Sequence, residues 1–280
     1  MELKTRLREI KEQPANASLL NNLDGLLEEM LQNIGSTDSE LRDKLIYSTF
    51  VQLIIRGNHL NIQQLHRMIQ VCLDDQHLFY KIGEKNTDSV FTRSFSSLVI
   101  DLILEKDMEL NFLEKHIAKE AYKKTILYLQ KEEDTRGFVE GKGWAHSIAH
   151  GADLLTSTIK HYSFELANIK ECLDTIANCI SKDTVFIDDE DERIIFAIEA
   201  LIQKGLEEDQ LNTWIDSFHL FLEDHYDNNG FSLDYFKYKS NIMNFLKSLY
   251  FRLSYLNNEQ SSLQVIEENL QKMHKRVYTN

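Results

Sequence analysis

The sequence predicts an all-α protein built from stacked helical hairpins, an α-α superhelix of the HEAT or armadillo type. Three observations lead there. Helix breakers are scarce, with one proline, Pro14, and 10 glycines in 280 residues. Leu, Glu, Lys, Ile and Gln dominate where strands would need Val, Thr and alternating polarity. Finally, paired apolar positions recur at a long period: Leu53-Ile54, Leu102-Ile103, Leu154-Leu155, Leu201-Ile202 and Leu249-Tyr250, whose first members are 49, 52, 47 and 48 residues apart. Arg56-Gly57, Lys106-Asp107 and Lys204-Gly205 follow three of these pairs as turns, and Leu60-Asn61, Leu110-Asn111 and Leu211-Asn212 then open a return helix. A period of about 50 residues suits hairpins that each bury an apolar face on their neighbours.

The chain is accordingly expected to form a single domain over 1–280: a helical cap at 1–35, four to five hairpins of roughly 50 residues over 36–256, and a capping helix at 257–280. In the cap, Leu3, Leu7 and Ile10 repeat at helical spacing, Pro14 interrupts, and Leu19, Leu23, Leu26, Leu27, Met30 and Leu31 continue in a second helix to Gly35. Thr37 with Glu40 has the spacing of a capping box and launches the helix of Leu45, Phe50, Leu53 and Ile54. The acidic run Asp188–Glu192 precedes the helix of Ile195, Ile198 and Leu201, where negative charge complements the N-terminal dipole. Asp227-Asn-Asn-Gly230 is read as a turn, because His225 and Phe236 stand where an EF-hand needs Asp and Glu. A long helix from about Leu233 to Leu256 carries Leu246, Leu249, Leu253 and Leu256, and the tail from Gln260 to Val277 ends in Lys272, His274, Lys275 and Arg276, suited to a helix C-terminus.

Charge and composition exclude several classes of function. Forty-five acidic against 31 basic residues leave a net charge of −14, which opposes attraction to nucleic-acid phosphates and anionic lipid. The sequence has no apolar run of membrane-spanning length, and its charged start, Met1-Glu-Leu-Lys-Thr-Arg6, lacks a signal-peptide core, so a cytoplasmic protein is expected. Cys72, Cys172 and Cys179 form no C-x-x-C pair and read as reduced core residues.

Chemistry concentrates in Asp134–Asp153, where a glycine-punctuated loop runs into a helix with two histidines. At about 100° per residue from 144 to 160, Trp144, Ile148, Leu155 and Ile159 form a core stripe, with His146, His150 and Asp153 opposite. Histidines four apart sit on successive turns, and a carboxylate three residues further on completes three candidate ligands for a divalent metal such as zinc. A polar groove is the competing account, because the pair lacks the internal Glu of H-E-x-x-H that would serve as a protease base. Gly137, Gly141 and Gly143 permit unusual backbone angles, and Arg136 and Lys142 bring positive charge toward the helix N-terminus, suiting a phosphate or carboxylate. A Walker A loop is excluded by the glycine spacing and by Gly143 in place of Ser or Thr.

The run Arg136-Gly137, Gly143-Trp144, His146, Ala149-His150 and Ala152-Asp153-Leu154-Leu155 resembles the signature of a bacterial family, the domain of unknown function 2785, found largely in Gram-positive bacteria. The resemblance extends over most of the chain. It implies a bacterial, all-helical protein with its site in this stretch, and it implies no substrate.

Two functional readings follow. One is a binding module for a protein, peptide or small anionic ligand, its groove formed by Arg136, Lys142, Trp144, His146, His150 and Asp153. Arg93 and Arg193 join the same surface, lying nine and eight residues before their apolar pairs as His146 lies eight before Leu154. The other is a metal-dependent hydrolase with His146, His150 and Asp153 as ligands and Glu140 or Asp134 as base. Further ligands would come from His116, His161, His219 or His225.

Overall fold

The computed structural model describes residues 2–12, 22–57, 59–256 and 260–278. Pro14 and Leu19, expected to break and resume the N-terminal hairpin, lie outside these residues. The protein is all-α. Among the described residues a hairpin of two-residue strands accompanies twelve α-helices. The chain divides into two compact units, Met1–Phe164 and Glu165–Asn280.

In the first unit α1 (Leu3–Glu12) and α2 (Leu23–Gln32) precede a helical run with π-type segments at Glu40–Tyr47 and Gln52–Arg56 on either side of α3 (Ser48–Val51). The expected Thr37–Glu40 box does not start this run. Asp38 does, its Oδ1 accepting the N–H groups of Glu40 at 3.0 Å and Leu41 at 3.2 Å, since a carboxylate is the stronger acceptor for free helical amides. By contrast Asn61 opens α4 (Ile62–Cys72) where expected, in a reciprocal capping box with Gln64 at 2.9 Å each way.

Helix α5 (Ser89–Leu110) is the centre of this unit. It is apolar or small on nearly every face, with Val90, Phe91, Phe95, Val99, Ile100 and Ile103 buried, and such a helix must be surrounded. It packs on α4, α6 (Lys115–Lys131) and α7 (Ser147–Lys160). Each fully buried aliphatic or aromatic side chain contributes about 1.5–3 kcal/mol through removal from water. The polar contacts between α5 and α7 keep a constant offset. Ser94 meets His150, Ser157 donates to Asp101, and His161 meets Asp107, at separations of 56, 56 and 54 residues, so the two helices run in the same direction.

The second unit comprises a 3₁₀ turn (Leu166–Asn168), α8 (Ile169–Ile180), α9 (Glu190–Lys204), α10 (Glu208–Asn229), α11 (Leu233–Leu256) and α12 (Gln260–Tyr278). Ser248 and Arg252 on α11 reach Asp191 and Glu199 on α9, 57 and 53 residues earlier. Ser261 and Asn269 on α12 reach Glu208 and Asp216 on α10, each 53 residues earlier. Trp214 fills the interior against Phe218 and Phe245 while its indole N–H donates to the Leu173 carbonyl at 3.0 Å. Glu190, Asp191 and Glu192 occupy the first turn of α9 as the dipole argument requires, although Glu190 is buried and burial pushes its carboxyl up. Asp227, Asn228 and Asn229 belong to the last turn of α10, and the bend expected there comes at Gly230, whose φ is 64°. The three cysteines are free and buried. Among the described residues no helix is long and apolar enough to cross a membrane.

Candidate functional site

The segment entering α7 is anchored at its base by a buried ion pair. Arg93 donates from Nε and Nη2 to the Glu132 carboxylate at 2.6 and 2.7 Å, and both side chains are wholly inaccessible. Burial opposes charge on Arg93, but the hydrogen bonds and charge of Glu132 raise its pKa above the ordinary arginine value. Glu132 also accepts the Asp134 N–H at 2.9 Å. Asp134 in turn takes a two-pronged contact from Arg136 at 2.8 and 2.6 Å, and Arg136 donates further to the Thr87 carbonyl at 2.7 Å. Lys142 is held by Asp88 at 2.6 and 2.8 Å. The two cations expected to draw an anion to the α7 N-terminus are thus both engaged by carboxylates, and Arg93, expected on the same surface, lies in the core.

Between these anchors β1 (Phe138–Val139) and β2 (Gly143–Trp144) pair antiparallel, Phe138 opposite Trp144. Gly143 has φ 81°, and a Cβ there would lie 2.7 Å from the Ser39 Cβ, so this strand approaches the π-type segment as only glycine allows. Arg42 fastens the hairpin from beneath. Fully buried, with its guanidinium 4.1 Å from the Phe91 ring and 4.8 Å from Phe95, it donates to the carbonyls of Ser36, Lys142 and Trp144 at 2.6, 2.8 and 3.3 Å.

The hairpin moves Trp144 and His146 off the helix on which the sequence places them. Trp144 is not a core residue. It is 41% exposed on β2, beside Phe138 at 55%. His146 is the residue before α7, in the left-handed region at φ 47°, its N–H bonded to the Arg136 carbonyl at 3.0 Å. The periodicity argument fails because the hairpin amides are satisfied across the strands, which delays the helix to Ser147. Trp144 lies 5.0 Å from Phe138 and 4.3 Å from His146 between ring centres, and His146 lies 5.6 Å from His150.

His150 faces inward, only 8% exposed, with its ring edge-on to Phe95 at 5.3 Å. The Ser94 hydroxyl donates its one proton to the Ala145 carbonyl and meets His150 Nδ1 at 2.7 Å. Asp153 is half-buried one turn on, and the donor atoms of His146, His150 and Asp153 do not all come within 4.8 Å of one another. Arg193 lies on α9 of the second unit. Phe138, Ser94 and Arg42 escape a sequence reading. Phe138 alone carries a local signal, an aromatic beside the loop glycines; the other two are brought in from 50 or more residues away.

A family model described as "Protein of unknown function (DUF2785)" matches residues 78–251. The chain belongs to this family. The DUF2785 match begins before α5 and ends within α11, so it contains the buried ion pair, the hairpin and both histidines. Comparisons with curated proteins and with solved structures returned no match.

Proposed function

We propose that this chain is a binding module that takes a peptide or protein segment on the exposed face formed by Phe138 and Trp144, beside the half-buried His146. The observation carrying this reading is two large exposed aromatic rings, packed edge to face on a hairpin that buried groups hold in place. Aromatic side chains fixed in advance lose little entropy on binding and are the usual anchors of recognition surfaces. The small anionic ligand considered from sequence is less well supported, since Arg136 and Lys142 are already paired. The scaffold is read as a HEAT- or armadillo-like stack of hairpins in the cytoplasm. Alternate helices that run parallel at offsets of 53–57 residues support the stack, although these offsets are a few residues longer than the 47–52-residue spacing of the apolar pairs. The three free cysteines support the compartment.

The test is selection of binders from a random peptide library, followed by affinity measurement against Phe138→Ala/Trp144→Ala. Loss of an anchoring aromatic costs about 2 kcal/mol, roughly thirtyfold in Kd, while the melting temperature should hardly move. Peptides that bind the double variant as well as the wild type would remove this face from the account.

The approach of the His146 and His150 rings to 5.6 Å favours a second reading, a metal-dependent hydrolase in which a divalent metal such as zinc draws these two and Asp153 together as ligands. Asp134 is held by Arg136, which leaves Glu140 as its candidate base. Metal content of the purified protein that disappears in His146→Ala/His150→Ala would move the assignment there.

A further inference from the structure

The C-terminal end of α7 carries a second cluster that the aromatic face does not use. His161 ends the helix, 1% exposed, and its Nε2 lies 2.9 Å from Asp107 Oδ2. Its Nδ1 lies 2.7 Å from the Ser163 hydroxyl and accepts the Ser163 N–H at 3.2 Å. An acceptor at Nδ1 leaves the ring proton on Nε2, where it is donated to Asp107. Asp107 is buried and anchored independently, its Oδ1 accepting the Phe112 and Leu113 N–H groups at 2.6 and 2.7 Å and its Oδ2 the Tyr162 hydroxyl at 2.6 Å. Burial acts to raise this carboxyl, but the hydrogen bonds outweigh it and hold Asp107 below the ordinary carboxylate range; the Tyr162 phenol, pushed up to about 12 by burial and by Asp107, stays a donor.

We infer that Ser163, His161 and Asp107 form a nucleophilic serine site for carboxylic esters or similar acyl electrophiles. A hydroxyl hydrogen-bonded to an imidazole, itself oriented by an ionised carboxylate, is the arrangement that makes serine a nucleophile; here Nδ1 faces the hydroxyl and Nε2 the carboxylate. Ser163 is half-buried and Tyr162 beside it is 50% exposed, so the cluster reaches the surface at this end.

In the acylation step Ser163 Oγ bonds to the ester carbonyl carbon while its proton passes to His161 Nδ1, and the carbonyl π pair becomes an oxyanion. Protonation of Nδ1 removes the acceptor of the Ser163 N–H, which becomes free to donate to that oxyanion. Collapse breaks the carbon–oxygen bond to the alcohol, which leaves with the proton from Nδ1. Water then attacks the acyl-serine, gives a proton to Nδ1, and the acid departs as that proton returns to Ser163 Oγ. The net change is ester plus water to acid plus alcohol. Ser163 and His161 are the catalytic residues; Asp107 and Tyr162 position the imidazole.

The test is labelling of the full chain with a fluorophosphonate probe, the modified residue being located by peptide mass spectrometry. The expected result is covalent label on Ser163 that is absent from Ser163→Ala, at a rate roughly a hundredfold or more above that of His161→Gln. Its pH profile should show one ionisation that the residual labelling of His161→Gln lacks. If the wild-type chain leaves Ser163 unlabelled, or labels it no faster than His161→Gln, the three residues serve only to end the helix and the proposal fails. Absence of label on the wild type is decisive however well any variant folds; melting temperatures of Ser163→Ala, His161→Gln and Tyr162→Phe provide the folding controls.

Discussion

Arg93 and Glu132 are both fully buried charges whose compensation lies mainly in each other. Replacing Glu132 with Gln keeps the shape but leaves the guanidinium without its counter-charge, a change that costs about 3–5 kcal/mol when a buried pair is broken. The urea midpoint should fall accordingly, and the double change Arg93→Met/Glu132→Leu should recover much of the loss. Asp107 makes a prediction in pH. Its folded pKa is depressed below the ordinary 3.8, so the folded state favours the carboxylate and the unfolded state the proton. Its stabilisation is therefore complete above about pH 4 and is lost as pH falls through the lower folded value. Melting temperatures between pH 2.5 and 5 should drop less steeply in Asp107→Asn than in the wild type, from a lower starting point at neutral pH. Parallel slopes would show that other carboxylates govern acid unfolding.

The hairpin is too short to be stable alone, since two residues per strand bury almost nothing, and it exists because neighbouring elements hold it. Arg42 does so through two hairpin carbonyls, while Gly143 allows the close approach. Arg42→Met keeps the stem packing on Phe91 and Phe95 but removes these donors, and each buried acceptor left unpaired costs about 1–3 kcal/mol. Amide hydrogen exchange should accelerate at Lys142 and Ala145, whose N–H groups bond within the hairpin, and stay slow in the middle of α7. Equal acceleration in both would mean that the hairpin and helix open together. The aromatic face depends on this rigidity, because rings on a mobile loop would lose the advantage of prior ordering.

For the molecule as a whole, the thiols report on the cores of both units. Cys72 lies in the first, Cys172 and Cys179 in the second, and all are buried. Burial raises the Cys72 thiol and pushes Cys179 up to about 11, which suppresses the reactive thiolate at neutral pH. Native protein should release almost no chromophore from a disulfide thiol reagent, and protein in denaturant should titrate three equivalents. Rapid reaction of one native thiol would identify a unit that opens locally.

The sequence by itself determined the helical class, because scarce breakers and 3.6-residue apolar spacing act locally. It placed α4 at its Asn61 cap and α11 over Leu233–Leu256, since caps and long periodic runs are read within a few residues. Tertiary structure alone decided the site. Angular periodicity put Trp144 in the core and His146 on a helix face, yet hydrogen bonds to Arg136, Gly137 and Arg42 fold that segment into a hairpin and expose the indole. The partners of Arg93, Arg136 and Lys142 come from 39 residues away, two away and 54 away. A charge read from sequence has no partner until the fold supplies one, and whether it is neutralised or offered to a ligand follows from packing over those distances.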